Sequence, residues 1–348
     1  MTIYKMETNS PPRFLLITYP RTASNLLVRM LNLPHQQNIM TGDEGGGYFF
    51  MPVVQLTRDL GIRLKPVTEW SNEEAMQVKQ KYQECFENLH SLLTKAENAL
   101  CPVFVKEHTT VLTMVRTPDY LPQFGSWTVT TPETINKESS SRSSNPTVLP
   151  DEFMRTWQPT FLIRHPALAF PSLYRALGDI DDRIKATGRE KDMEHFWRHR
   201  LTLRWSRALY DWYERSFGGT QRTSSPCSEG TCIQWPVVLD ADDIMENPEL
   251  VRKYAQLVRM DPSCVINSWA PTAGDWQTNT KWRSRRMYET LLSSEGIDAG
   301  KVAGDVDLDE QATKWRWEFG ETTGRRLEML VRDAMPDYEY LKARRLRP

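Results

Sequence analysis

Short apolar runs alternate along the chain with longer stretches whose apolar residues recur at helical spacing. Residues 14–17, Phe-Leu-Leu-Ile, lie between Pro12 and Pro20. The run is too short for a helix and reads as a buried parallel strand. After the turn at Tyr19-Pro20, residues Leu26, Leu27, Met30 and Leu31 share one helical face and leave Arg29 for another. Ser71-Asn-Glu-Glu74 is a capping box, in which hydroxyl and carboxylate serve each other's backbone amides. The helix it opens carries Val78, Tyr82, Phe86, Leu89, Leu93 and Ala96 on one stripe over about seven turns. Residues 102–108, 160–163 and 235–239 predict three more strands. Helices are expected over 167–177, 191–217 and 247–260. Strand and helix alternate over residues 13–260, which predicts a three-layer α/β fold with a parallel sheet of four to five strands and right-handed crossovers. Residues 265–348 read as a helical C-terminal portion, with a basic amphipathic helix over 281–293 and a last helix over 314–334. The whole, 1–348, is expected to be one domain.

Two segments break the pattern. Residues 111–150 are long, proline-containing and polar near 137–145, so they read as a lid, a binding loop or disorder. Thr41-Gly-Asp-Glu-Gly-Gly-Gly-Tyr-Phe-Phe50 is a glycine cluster followed by aromatics. It fits either a pocket wall, with Asp43 and Glu44 facing a polar group beside Tyr48 and Phe49, or a surface loop with a buried aromatic anchor.

Composition narrows the function. Lys plus Arg number 44 against 45 acids, so no broad basic field exists for nucleic acid. The basic end, Lys342 to Arg347, reads as a solvated tail. The five cysteines are odd in number and scattered, without zinc spacing, which predicts free thiols in a reducing compartment. No apolar run approaches the ~20 residues of a membrane span, so a soluble, cytoplasmic protein is expected.

The first strand, its hydroxyl-rich turn and the following helix together make an anion site. The first helical amides have no intrahelical partner and carry partial positive charge. Arg21, Thr22 and Ser24 would add charge and donors there. The ATPase pattern GxxxxGK[ST] is missing, which argues against a kinase or ATPase. In a parallel sheet, ligands bind beyond the carboxyl ends of the strands. The second strand delivers Lys106-Glu-His108 there, with Lys106 and His108 on one side by the two-residue period and Glu107 on the other. The third delivers Arg164, with Ser172 eight residues on, and the fourth delivers Asp240 to Asp243.

These blocks resemble the sulfotransferases that use 3′-phosphoadenosine 5′-phosphosulfate (PAPS). Tyr19-Pro-Arg-Thr-Ala-Ser-Asn25 is similar to their Tyr-Pro-Lys-Ser-Gly-Thr-Thr loop, Lys106-Glu-His108 to their Lys-Thr-His, and Arg164 with Ser172 to their Arg and Ser at the same spacing. Asp242-Asp-Ile-Met-Glu-Asn-Pro248 resembles a further block. The departures are Arg21 for Lys, Ala23 for Gly, Leu26 for an adenine-stacking Trp and Ala241 for a Tyr. The C-terminal Arg-Lys-Gly clamp has only residues 293–297 and Lys301 as a weak substitute.

The resemblance implies PAPS as co-substrate, no metal, and transfer of a sulfuryl group to a hydroxyl or amine of a small-molecule acceptor. Nucleic acid and membrane are not expected partners, and oligomeric state is left open. The resemblance further implies His108 as general base and Lys106 as the charge stabiliser. It gives Arg21, Thr22, Ala23, Ser24 and Asn25 to the 5′-phosphate, and Arg164 with Ser172 to the 3′-phosphate. Tyr48, Phe49 and Glu44 are candidate acceptor contacts. Two other outcomes stay open on the sequence: a lyase or cyclase on the same fold that uses Glu107, Asp43 or Glu44, and a non-catalytic nucleotide-binding protein.

Overall fold

The computed structural model describes residues 10–42, 45–65, 67–116, 124–125, 127–132, 143–177, 180–186, 188, 191–218, 234–271 and 293–348. Five parallel strands form its sheet: β1 (Arg13–Thr18), β2 (Met40–Thr41), β3 (Val103–His108), β4 (Trp157–Ile163) and β5 (Val237–Asp240), in the order β2-β3-β1-β4-β5. β1 lies in the middle, with Thr18 opposite His108 on one side and Leu162 on the other. Three strand ends are therefore nearly flush.

The period of two along β1 divides the core. Leu15 and Ile17 face a cluster that includes α3 (Asn72–Asn98), whereas Phe14 and Leu16 pack with Leu27 and Leu31 of α1 (Ser24–Leu31). Helices cover both faces, which makes the three layers. α3 begins at the expected capping box: the Glu74 amide donates to Ser71 Oγ (3.1 Å) and the Ser71 amide to Glu74 Oε2 (2.6 Å). Its stripe from Val78 to Ala96 is buried, at roughly 1.5–3 kcal/mol for each large apolar side chain removed from water.

Several boundaries differ from the sequence reading, for physical reasons. α2 (Met51–Asp59), with Pro52 in its first turn, starts directly from the glycine cluster and was not expected. The helix expected over 191–217 is two helices, with Lys191–Arg200 and Arg204–Phe217 separated at Leu201–Leu203. Leu201 and Leu203 both turn into the core, and Thr202 Oγ1 accepts from the Arg204 amide. The last helix is also two, Leu308–Phe319 and Glu321–Lys342. The break falls at Gly320, whose φ of 83° favours glycine. The second of these helices runs through Pro336 because Tyr338 and Leu341 are buried beyond it, and Tyr338 Oη donates to Asp240 Oδ2 at 2.9 Å. The basic end is not a solvated tail: the Leu346 amide donates to the Val238 carbonyl (2.8 Å) and Arg345 pairs with Asp243 (2.6 Å). The proposed basic helix over 281–293 falls almost wholly outside the described residues.

The described parts of 111–150 are packed rather than loose. Val129, Val148 and Leu149 are buried, and the Val148 amide donates to the Leu112 carbonyl. Asp151 anchors the return of the segment. Its carboxylate accepts from the Ser144 and Asn145 amides (3.0 Å each), from Ser143 Oγ (2.9 Å) and from Asn145 Nδ2 (2.7 Å). Burial pushes this carboxyl's pKa up, but the hydrogen bonds outweigh it and hold the group at about 2. A depressed carboxylate stabilises the fold above its ordinary value and loses that contribution as pH falls from about 4 towards 2. Asp151→Ala should therefore lower unfolding free energy at pH 7 by about 1–3 kcal/mol. Urea titrations should also show that difference shrinking below pH 4; a constant difference down to pH 2 would contradict the assignment.

Candidate active site

The turn after β1 is wound tightly. Both the amide and the hydroxyl of Thr22 donate to the Tyr19 carbonyl, at 3.3 and 2.7 Å. Arg21 (φ 71°) and Ala23 (φ 62°) both sit in the left-handed region, which costs a residue with a Cβ roughly 1–2 kcal/mol. Such strain is characteristic of ligand-binding turns. The first intrahelical bond of α1 runs from the Leu27 amide to Ala23, so the Ser24, Asn25 and Leu26 amides point out of the helix end.

The left-handed turn also redirects Arg21. Its Nε donates to Ser172 Oγ at 2.8 Å, and Ser172 lies in the helix Pro166–Ala176 that follows β4. Arg164, at the end of β4, donates to the Arg21 carbonyl (3.2 Å) and the Lys301 carbonyl (2.7 Å). Its Nε is buried with no partner among the described residues. Burial lowers the pKa of both arginines; nearby Arg175 adds to this for Arg21, and Asp242 opposes it for Arg164. Two guanidiniums and a hydroxyl thus converge in a partly dehydrated corner, where a multiply charged anion would relieve their repulsion.

At the end of β3, the glycine cluster runs as a backbone neighbour of the strand. The Lys106 amide donates to Gly46 O (2.7 Å) and the Tyr48 amide to Lys106 O (2.8 Å). A Cβ on Gly47 would stand 2.2 Å from the Lys106 carbonyl oxygen, so glycine is required for the approach. The pairing brings Tyr48 over the strand end. Lys106 Nζ lies 4.4 Å from the Tyr48 ring centroid and donates to Asn25 Oδ1 at 2.8 Å; the His108 and Tyr48 rings are 4.7 Å apart. Ser24 Oγ is 3.3 Å from Tyr48 Oη.

His108 Nδ1 is 2.6 Å from Thr18 Oγ1, and that same hydroxyl is 3.2 Å from the Glu107 carbonyl, to which it donates. With the threonine proton committed to the carbonyl, the short contact is an Nδ1–H donating to Thr18. The Nε2 lone pair is then left for the cavity. Burial, and then the Lys106 ammonium, push the His108 pKa down to about 3, so the ring is neutral near pH 7. Glu107 points the opposite way, with Oε1 accepting from the Phe50 amide (3.3 Å), and burial pushes its carboxyl up to about 8.

A cavity of about 540 Å³ spans these strand ends. Arg21, Ala23, Ser24 and Asn25 line it from the first turn, His108 and Tyr48 from the middle, and Arg164 and Ser172 from β4 and its helix. Leu26 lines it too, at the position where the resemblance expects a Trp. Lys106 is fully buried and reaches the wall through Asn25 and Tyr48. Other candidates lie elsewhere. The Thr22 side chain is fully buried in its own turn, Phe49 packs against the core outside the cavity wall, and Glu107 faces away from it. Asp43 and Glu44 lie outside the described residues. Asp240 and Asp242 brace the structure: Asp240 caps the helix Ala241–Glu246, and Asp242 accepts from the Ala303 amide at 3.1 Å.

The sequence reading missed Thr18, whose only signal was its position opposite His108 in paired strands. It also missed Arg58, Arg63 and Arg200, which reach the cavity from segments distant in sequence. Residues Ser294, Gly296, Gly300 and Lys301 line the cavity beside Arg164, in the region where only a weak substitute for the C-terminal clamp was expected. Among the described residues, no group of three or more His, Cys, Asp or Glu could hold a metal, and no helix is long and apolar enough to cross a membrane. Cys85, Cys101 and Cys264 are free thiols.

No protein-family model matches the chain. Among curated proteins, the sulfotransferase ppzF of Metarhizium majus (strain ARSEF 297) is 42% identical over 347 residues, covering 98% of both chains. The sulfotransferase ppzF of Metarhizium rileyi (strain RCEF 4871) is 42% identical over 341 residues, covering 97% of both. Of solved structures, the sulfotransferase domain of the Synechococcus PCC 7002 olefin synthase aligns with 92% of this chain and 99% of its own, at 14% identity and a TM-score of 0.34. On the two full-length sequence relatives, the chain belongs to the sulfotransferase family.

Proposed function

We propose that the protein transfers a sulfuryl group from PAPS to a hydroxyl or amine of a small-molecule acceptor, with His108 as general base. The observation that carries this reading is the convergence in one cavity of two cationic corners. Arg21, Arg164 and Ser172 form one; the first turn of α1 with Lys106 forms the other, and His108 lies next to the second. A nucleotide with phosphates at both its 3′ and 5′ positions fits such a pair. The Nε of Arg164, without a partner among the described residues, is a donor that a 3′-phosphate would satisfy.

PAPS supplies the sulfuryl group, already activated by its link to a good leaving phosphate. Its 5′ end belongs at the Ser24, Asn25 and Leu26 amides, where the helix end favours negative charge. The bond of Arg21 to Ser172 puts its guanidinium in the 3′ corner, so the 5′ corner relies on the amides and Lys106. Sulfuryl transfer, like phosphoryl transfer, needs in-line positioning and charge neutralisation more than covalent help. Nε2 of His108 accepts the acceptor's proton as the new bond to sulfur forms. The Lys106 ammonium stabilises the charge on the departing oxygen. Asn25 and Tyr48 hold that ammonium in place, and Thr18 holds the imidazole.

His108→Ala should lower kcat by about 10²–10⁴-fold and leave the affinity for 3′-phosphoadenosine 5′-phosphate (PAP) nearly intact, as single-turnover assays and calorimetry would read. With its pKa near 3, His108 stays deprotonated through the mildly acidic range. The pH profile of kcat/KM should therefore lack an inflection near 6.5, and one arising from His108 would contradict the neutral-imidazole geometry.

Thr18→Val keeps the shape of residue 18 but removes the acceptor for Nδ1–H. It should cost about tenfold or more in kcat with PAP binding unchanged, and Thr18→Ser should restore most of the rate. Equal rates for the Val and Ser variants would count against a positioning role.

Arg164→Ala and Arg21→Ala should each weaken PAP binding by about tenfold or more, the worth of a charge-assisted hydrogen bond. ADP, which lacks the 3′-phosphate, should bind the variants and the wild type alike. A parallel loss for ADP would move these arginines away from the 3′ group.

A further inference from the structure

β3 carries one residue out of keeping with its surroundings. Val103 and Val105 enter the core cluster that includes α3, and Phe104 enters the opposite one. By the same period of two, Glu107 points with the valines, and Lys106 and His108 point with Phe104. Glu107 is 1% exposed, at a position where the pattern calls for an apolar side chain. Burial pushes its carboxyl up to about 8 against the pull of the Lys106 ammonium, so the group is protonated at pH 7. The Cys85 thiol of α3, pushed up to about 12 by burial and then by Glu107, is neutral as well. A buried acid of this kind is retained for what it bonds. Its Oε1 accepts from the Phe50 amide at 3.3 Å, and its Oε2 is buried without a partner among the described residues.

The segment that Glu107 touches straddles the strand. At the edge of β3, Gly46 O and the Tyr48 amide bond the backbone of Lys106. Two residues on, the Phe50 ring enters the α3 cluster, 6.1 Å from the ring of Tyr82. On the opposite face the Tyr48 ring covers Lys106 and His108. The chain changes face through Tyr48 itself, whose φ of 69° lies in the left-handed region that a bulky residue rarely adopts. Such a conformation persists only where its neighbours fix it. Phe50, the cap residue of α2, has no side chain able to cap the helix, and Glu107 accepts from its backbone amide instead. Burial of the Phe50 ring settles where residue 50 lies. The carboxyl settles which way its peptide faces, and so the direction from which the chain reaches Tyr48.

We propose that Glu107 is a positioning residue: from behind β3 it fixes residues 48–50, and thereby holds Tyr48 over Lys106 and His108. What those two residues do there rests on the sulfotransferase reading. Without the carboxyl, the Phe50 amide is a buried donor with nothing to bond. The segment then shifts to find an acceptor, and the strained Tyr48 relaxes away from the ammonium and the imidazole. A neutral carboxyl is matched in shape and in its accepting oxygen by a glutamine amide, so the role survives Glu107→Gln and not Glu107→Leu.

The position of Tyr48 can be read at His108, because the two rings are 4.7 Å apart and an aromatic ring displaces the resonances of its neighbours. The chain has six histidines, so the full-length protein labelled at histidine Cε1 gives a spectrum simple enough to resolve. The His108 signal is the one lost in His108→Ala. Tyr48→Leu should remove the ring displacement of that signal. Glu107→Leu should move the signal towards its Tyr48→Leu position, and Glu107→Gln should leave it where the wild type has it. In the Tyr48→Leu background, Glu107→Leu should add little, the non-additivity expected of residues acting in series. Glu107→Met, whose flexible side chain fills irregular gaps, gives the same readout if the leucine variant does not fold. A His108 signal unmoved by Glu107→Leu or Glu107→Met would overturn the proposal. So would an equal shift in the Tyr48→Leu background, or a glutamine variant that behaves like leucine. Failure of the wild type to bind PAP in calorimetry would instead bring down the sulfotransferase reading, whatever the His108 signal shows.

Discussion

β1 is hydrogen-bonded on both sides, and the register of those bonds is what the cavity depends on. Thr18 stands opposite His108 of β3 and Leu162 of β4. The first turn, the Lys106–His108 segment and Arg164 therefore leave the sheet at one level. A slip of one residue in either pairing would send each side chain to the opposite face. His108 would then exchange places with Glu107, and Lys106 would enter the apolar core. The register is held by burial on both faces: Leu15 and Ile17 lock one core and Phe14 and Leu16 the other.

On that frame, two departures from ordinary backbone geometry shape the chemistry. Residues 21 and 23 take left-handed conformations without being glycine, and the turn so formed points Arg21 at Ser172 instead of along the helix end. Gly47 lets a second chain lie against Lys106 closely enough to bring Tyr48 over the lysine and the histidine. The first device gathers positive charge at one corner. The second shields the His108 ring and fixes the Lys106 ammonium. Both features place polar groups in a site of low effective dielectric, where aligned charges act strongly and need not reorganise during reaction.

Among the described residues, the C-terminal part braces the site and adds to its lining. Tyr338 bonds Asp240 at the end of β5, the Leu346 amide bonds Val238, and the Lys301 carbonyl holds Arg164. Asp240 and Asp242, which stand at a strand end where functional carboxylates are often found, are occupied by these contacts and by helix capping. Glu107 is turned into the core against the Phe50 amide. The carboxylate that a lyase reading would draw from the middle of the site is thus directed away from the cavity.

Much of this was legible in the sequence because it is local. The two-residue period of β1 and β3, the capping box of α3 and the run from Tyr19 to Asn25 each depend on neighbours a few residues away, and each carries its geometry in its residue types. The parallel alternation, and the arrival of Arg21, His108 and Arg164 at one end of the sheet, follow from that local order and the rule for open sheets. What the sequence left open depends on segments brought together from far along the chain. The bond from Thr18 to His108 exists only because two strands pair in one register. The breaks at Leu201–Leu203 and Gly320 depend on which side chains the core accepts, and burial of Tyr338 and Leu341 carries a helix past Pro336. The arrival of Arg58, Arg63 and Arg200 at the cavity has no sequence pattern at all. Nothing about each arginine's neighbours in the chain differs from an ordinary solvated cation, and only the packing of α2 and the later helices around the end of β3 brings them to its lining.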